Sequence, residues 1–437
     1  MSAEYVEHRS DAFDSGKTWK NDFREYIPPA GSNPYMRHKR HPRIHRLDKV
    51  TVHSYSRDVL SRPRPQSLFA PWYQNWEKPF IGITCDNTKI RDLYSVKEEG
   101  APTSEMVAAA ETLLSSFSPD ELFKCCFDID SVEWRKWANP EIMFNDIGIR
   151  LEAMDPRKRD LVLDLLRSSL SPNGFEKALG VMRTNQFLGE LVNAKPILNE
   201  YSYHFLLFGQ PSVATPWGFL LFGHHLCLSV FVLGKQMVIS PMFVGAEPNV
   251  IDSGPYKGTA LFLPESELAL KLMQSLPPDL QAVAQIYKKM HDPAMPEGRW
   301  HPADQRQLSG AAQDNRVIPY EGVLAISMPS AQQDYLRSII ATYMGILPSG
   351  PFNARMAQIQ SHWPETYFSW IGAFGEEDPF YYRIQSPVVL IEFDHHAGVF
   401  LLNAEPSKCH VHTIIRMPNG GDYGRELLGA WRSQKYY

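Results

Sequence analysis

The chain has 437 residues, 43% of them hydrophobic and 12% aromatic, with a formal net charge of −5. It is too apolar for a disordered chain and long enough for two average domains or one large elaborated one. The charge excludes a general attraction to nucleic acid or an anionic membrane, so the expected partner is a small-molecule substrate, with a homo-oligomer allowed for.

The start, Met1 to Ser10, has neither the basic opening nor the apolar centre of a secretory signal. No apolar stretch approaches the roughly 18 to 20 residues that cross a bilayer, so a cytoplasmic protein without a membrane partner is expected. Residues 1–77 read as an extended basic N-terminal arm, rich in Pro, Arg and His, with the run Arg37 to Arg46 and then Arg62-Pro-Arg-Pro65. That run is expected to be solvated surface, with no nucleic acid bound. Phe69, Trp72, Tyr73 and Trp76 close the arm and should dock it onto the body.

Residues 78–437 read as a single α+β domain, a largely antiparallel mixed sheet flanked by helices. The stretch 103–200 is helical. Pro102-Thr-Ser-Glu105 opens an apolar stripe at helical spacing, and Ser118-Pro, Asp155-Pro and Ser171-Pro are each an N-cap followed by proline. From Tyr201 to about Val244 short apolar runs broken at Gly209, Gly218 and Gly234 read as antiparallel strands, the connections being too short for crossovers. Helices return over 264–362, from Pro264 to about Ser275, Asp279 to about Met290 and Ala331 to about Tyr343. The chain closes with strands at about Tyr381 to Phe393 and Cys409 to Arg416, then a helix from about Tyr423.

The chemistry concentrates in the closing strands. Side chains alternate faces along a strand, so His410 and His412 project together, as do Glu392 and Asp394. Neutral imidazole is a common metal ligand, and carboxylates after an apolar strand are costly to bury unless paired or metal-bound. His224 and His225 lie in another apolar run, where adjacent histidines should point to opposite faces and one can join the others. The expected metal set is therefore His225, His410, His412, Glu392 and Asp394, holding a transition metal, iron or zinc. His224 is expected as a proton carrier, and Tyr382 and Arg383 as groups orienting the substrate.

Other candidates carry plainer expectations. His204, His395 and His396 should be packing or surface residues. Trp217, Trp363 and Trp370 could wall an aromatic pocket but by default fill the core, and Gly420 to Gly424 should form a turn and helix cap. Five cysteines, an odd number without Cys-x-x-Cys spacing, imply reduced thiols and exclude a zinc ribbon, and Cys227 and Cys409 are weak candidates as nucleophiles.

Several phrases together resemble the family catalogued as domain of unknown function 3500. They are Pro216-Trp-Gly-Phe, Gly223-His-His-Leu, Ser253-Gly-Pro through Gly258, Pro379 through Asp394, and His410-Val-His-Thr with Pro418-Asn-Gly-Gly-Asp-Tyr-Gly424. The resemblance runs from about Lys78 to the C-terminus. It departs at Cys409, where the family pattern has asparagine before His-x-His. The resemblance implies kinship and no activity, so function is expected from the site. The leading expectation is a non-haem iron oxygenase, followed by a zinc-dependent hydrolase or lyase, then a non-catalytic small-molecule-binding protein with a structural histidine and acid network.

Overall fold

Two helices precede the main body in the structure, a computed structural model that describes residues 23–29 and 47–435. The Arg37 to Arg46 run lies outside the described residues. Helix α1 (Val52–Leu60) starts at a capping box between Thr51 and Ser54, and α2 (Pro63–Glu77) starts with proline at its first position. Arg62 to Pro65 is therefore the beginning of a helix, because proline needs no amide partner in a first turn and its fixed φ suits one. Phe69, Trp72 and Trp76 are buried, which docks this segment onto the body.

The body is built twice. The first half runs α3 (Thr103–Ser116), α4 (Pro119–Cys125), β1 (Cys126–Phe127), β2 (Ile149–Arg150), α5 (Pro156–Ser169), α6 (Pro172–Leu191), then β3 (Tyr203–Phe208), β4 (Trp217–Gly223), β5 (Leu226–Leu233) and β6 (Gln236–Ala246). The second half repeats that order as α7 (Leu263–Ser275), α8 (Pro278–Ala284), β7 (Gln285–Tyr287), β8 (Val323–Leu324), α9 (Ser330–Met344), α10 (Ser349–Ser361), then β9 (Tyr367–Ile371), β10 (Tyr381–Gln385), β11 (Leu390–His395) and β12 (Val411–Arg416). Helix α11 (Arg425–Lys435) follows.

The caps read from sequence are in place. Ser118, Asp155 and Ser171 each accept a backbone N–H of the following first turn. Two spans differ from expectation. The helix from Asp279 ends at Ala284, because Gln285-Ile-Tyr287 joins the sheet edge beside β9. The span Tyr381 to Phe393 divides into β10 and β11 at Ser386-Pro387, where proline supplies no ladder donor.

Among the described residues all strands belong to one sheet, ordered β1-β3-β4-β5-β6-β12-β11-β10-β9-β7, with β2 on β3 and β8 on β9. Only the edge pairs β1–β3 and β7–β9 are parallel. The fold is thus α+β with a mostly antiparallel mixed sheet, and the last strands of the two halves, β6 and β12, pair antiparallel at its centre. One sheet face buries Phe205, Leu228, Val244 and Phe393 against the helices. The other packs Phe222, Cys227, Phe243 and Ile414 under Trp72, Trp76 and the long connections. No described helix is long and apolar enough to cross a membrane.

A buried ion network fastens those connections to β12. Asp314 accepts from Arg135 Nε (2.7 Å), Arg416 Nη2 (2.7 Å) and Tyr423 Oη (2.9 Å), and Trp137 Nε1 donates to Tyr423 Oη (3.0 Å). Burial alone would raise the Asp314 carboxyl, but the two guanidinium groups outweigh it and hold the group below its ordinary range. A depressed folded pKa stabilises above the unfolded value of about 3.9 and loses that contribution as pH falls through the lower folded value. Asp314→Ala is expected to cost about 3–5 kcal/mol at pH 7, because two buried guanidinium groups lose their shared partner. Urea denaturation at pH 7 and again near pH 3 measures it, with the gap between variant and parent shrinking at the lower pH.

Candidate metal centre

β4 and β5 are joined by a turn of only two residues, His224 and His225. As turn residues the two rings stack at 3.8 Å instead of pointing to opposite faces of a strand, as expected from the sequence. The turn demands a left-handed residue, and His225 takes φ +63. Such a conformation costs on the order of 1–3 kcal/mol for a non-glycine residue and persists only where the surroundings hold it. Here the His225 N–H donates to the Asn139 carbonyl (3.1 Å), while the His225 carbonyl accepts the Gly245 N–H (2.8 Å).

Gly245 of β6 pairs directly with His412 of β12. His410, two residues earlier, projects to the same side, as strand alternation requires. The Nε2 atoms of the three histidines form a triangle, with His225 to His412 at 3.1 Å, His225 to His410 at 3.3 Å and His410 to His412 at 3.0 Å. All three side chains are buried. A Cβ on Gly245 would sit 3.1 Å from Cδ2 of both His225 and His412, so the absence of a side chain there makes room for the two rings.

No placement of protons satisfies this triangle. The Ala397 carbonyl accepts from His410 Nδ1 (2.9 Å), which leaves a lone pair on His410 Nε2. A proton on one of the other two nitrogens could face two lone pairs, but those two would still face each other; two protons would collide. A cation satisfies all three lone pairs at once. Burial pushes His225 and His412 well below the ordinary imidazole range, and lowers His410 despite the opposing pull of Glu247. The three are therefore neutral, the form that ligates metal.

The loop carrying Ala397 is itself pinned. Glu247, just past β6, accepts the backbone N–H groups of Val399 (2.9 Å), Phe400 (3.1 Å) and Leu401 (2.9 Å). Its Oε1 is 3.8 Å from His410 Nδ1. His396 stacks on His412 at 4.1 Å. On the far side of the turn, His224 Nδ1 donates to Asn185 Oδ1 (2.8 Å), whose amide nitrogen is spent on the Asn199 carbonyl and Ser202 Oγ.

The other expected site residues lie with different partners. Glu392 accepts the N–H groups of Leu308 and Ser309 (each 2.8 Å), the Ser309 hydroxyl and the Tyr381 hydroxyl (2.6 Å). Asp394, though paired across strands with His412, is forked by Arg306 at 2.6 and 3.1 Å. Neither carboxylate joins the histidine triangle, which is the only group of three or more such side chains close enough for one ion among the described residues. Tyr382 faces the helices, sharing a hydrogen bond with Tyr343 (2.6 Å). Arg383 is paired with Glu321 (2.7 Å). The structure brings neither to the histidines.

The plainer expectations also find their places. His204 stacks on Phe222 at 4.9 Å and bonds the Ile147 carbonyl, and His395 Nδ1 accepts the Phe380 N–H. Trp217, Trp363 and Trp370 are all core residues, while Asp422–Gly424 is a short turn leading into α11. Cys227 is buried with its thiol pushed up by burial, and Cys409 lies 3.3 Å from Ser407 Oγ. Gly245, Glu247 and Asn185 were not anticipated. Glu247 carries the signal that had singled out Glu392, an acid at the end of an apolar strand.

A family model described as Protein of unknown function (DUF3500) matches residues 99–425, most of the chain. No curated protein and no solved structure matches it.

Glu247→Ala removes the acceptor of three amides and loosens the loop that orients His410. The expected cost is at least about 2 kcal/mol, since hydrogen bonds to a charged group carry roughly 1.5–3 kcal/mol each and the amides stay buried. Hydrogen exchange checks it, with protection expected to fall selectively at Val399 to Leu401.

Proposed function

The chain belongs to the DUF3500 family, and we propose that it is a metal-dependent enzyme acting on a small organic molecule, with its ion held by His225, His410 and His412. The observation that carries this reading is the triangle of Nε2 atoms 3.0 to 3.3 Å apart. An ion bound about 2.0–2.1 Å from each of three imidazole nitrogens spaces those nitrogens about 2.9 to 3.4 Å apart, between the octahedral-face and tetrahedral limits. With three neutral ligands such an ion keeps its full charge, and the chemistry it supplies when bound is polarisation of a carbonyl or of a water at neutral pH.

Glu392 and Asp394 are committed elsewhere, so the ligand set is three imidazoles rather than two with a carboxylate. That favours the zinc-type reading, a hydrolase or lyase, over an iron oxygenase built on a carboxylate-containing facial triad. One observation favours the oxygenase as a second reading. Phe243 lies 5.2 Å from His412 and Phe400 lies 5.9 Å from His224, aromatic surface of the kind that keeps water from reactive oxygen species.

The chain's own groups prepare the site. Ala397 fixes the tautomer of His410, and Gly245 admits the rings of His225 and His412. Burial lowers His224 to about 3, with a smaller push from His410. A ring that stays neutral so far below pH 7 suits a positioning residue better than a proton carrier, and it braces His225 by stacking. All five cysteines are free, which supports a reducing compartment such as the cytoplasm.

Untagged protein is expected to carry close to one equivalent of a transition metal, and elemental analysis decides between zinc and iron. The variant pair His410→Ala/His412→Ala should lose it; full metal content in that double variant overturns the site. Gly245→Ala should weaken metal binding by about 10- to 100-fold, the usual effect of disturbing ligand orientation. His224→Phe, which keeps a flat ring, should hold metal better than His224→Ala. Chelation should lower the melting temperature, since an ion at 100 times its Kd stabilises the fold by about 2.7 kcal/mol.

A further inference from the structure

The β6–β12 pair has a second end, away from Gly245 and His412 and beyond the cross-strand pair Met242 and Ile415. A cavity of about 580 Å³ opens there, between these strands, the end of α9, helix α10 and the segment 93–99. That size lies within the range of roughly 300–1,000 Å³ usual for small-molecule sites. We propose that this cavity is a binding site for an aliphatic carboxylate, its chain lying along the strand pair and its head group on Arg355.

The walls define the body of the ligand. Met237, Ile239, Met242 and Ile415 line it from the sheet, with Ile346 and Leu347 opposite. Methionine side chains are unbranched and adapt to an occupant, so this lining suits a flexible chain.

Arg355 defines the head group. Its guanidinium donates to Gln358 Oε1 and to the Val388 carbonyl, two of five available N–H groups, and it has no ion-pair partner among the described residues. The acids whose field reaches it make their hydrogen bonds elsewhere. Glu99 accepts from Gln236 Nε2 (2.8 Å), and Asp422 is held by Arg416 Nε (3.1 Å), Ser240 Oγ (2.5 Å) and the Met417 N–H (2.8 Å). A part-buried guanidinium with no acid in hydrogen-bond contact among the described residues is open to one, and a carboxylate in its fork supplies both charge and geometry. Lys97 and Glu98 also line the cavity but are exposed, with Glu98 3.5 Å from Lys235 Nζ, and the more buried polar groups bond one another or the backbone. Gln236 also donates to the Ser95 carbonyl and accepts the Lys97 N–H, and the Tyr94 hydroxyl donates to the Pro418 carbonyl (2.7 Å). Arg355, part-buried and without an ion pair among the described residues, beside the apolar wall of Met237, Ile239, Met242 and Ile415, calls for one terminal carboxylate on a hydrocarbon chain.

The site is independent of the histidine centre, and the test keeps them apart. Decanoate and 1-decanol serve as probes, titrated calorimetrically into the full chain. Decanoate is expected to bind 1:1 and at least tenfold more tightly than decanol. Arg355→Met should remove that preference, weakening decanoate at least tenfold and changing decanol less than threefold. Ala354→Phe, which fills the chamber from α10, should abolish both and decides the matter if Arg355→Met does not fold. Decanoate that fails to bind the parent chain, binds no better than decanol, or binds Arg355→Met or Ala354→Phe as tightly as the parent overturns the proposal. Binding that vanishes in His410→Ala/His412→Ala places the carboxylate on the metal instead, and overturns it too.

Discussion

The pairing of β6 with β12 is the contact on which the remaining structure depends. Among the described residues it is the only strand pairing between the two halves, and it converts two antiparallel meanders into one sheet. The same ladder sets Gly245 opposite His412, bringing the ring of His412 against that of His225 across a position without a side chain. A one-residue slip would put a side chain at the place where only glycine fits and turn His410 and His412 to the helix side. The buried polar groups add to this constraint, because Asp314 and Asp422 both bind Arg416 at the end of β12 and fix the strand lengthwise.

The scaffold is repeated, yet its chemistry is not. In the first half the turn between β4 and β5 is His224-His225; in the second the corresponding turn between β10 and β11 carries Pro387 and Val388. One hairpin thus carries an imidazole and its counterpart is apolar. Conversely His410 and His412 lie just before and within β12, while the first-half strand β6 runs through Met237, Val238 and Ile239. Of the two ends of the central ladder, one is lined by histidine and the other by methionine and isoleucine around Arg355. Near-symmetry in the backbone has been filled with two different surfaces.

What the sequence disclosed follows the range of the interactions involved. The helix starts at Pro119, Pro156 and Pro172 depend on residues within one turn, and they were legible. The common face of His410 and His412 follows from strand period alone. The partners of Glu392 and Asp394 did not, since Leu308 and Arg306 come from a connection 84 and 88 residues upstream in the chain. The turn at His224-His225 was hidden because neither residue is a usual turn former, and φ +63 at His225 is held by Asn139 and Gly245 rather than chosen by its own side chain. The repeat left a faint trace, Leu113-Leu-Ser-Ser-Phe-Ser-Pro-Asp120 beside Leu272-Met-Gln-Ser-Leu-Pro-Pro-Asp279, visible only once the order of elements is known.

The separation of His225 and His412 by 187 positions has a kinetic meaning. Closing so long a span carries an entropic cost that local hairpins do not, and in large chains such contacts form after the units they join. Each half can build its own hairpins and helices first; the three imidazoles converge only when the seam between halves zips. Nascent or half-denatured chains therefore present at most two of the three nitrogens, those of His410 and His412 at the start of β12. Occupancy of the triangle is in this way a receipt for completed assembly, issued last and withdrawn first.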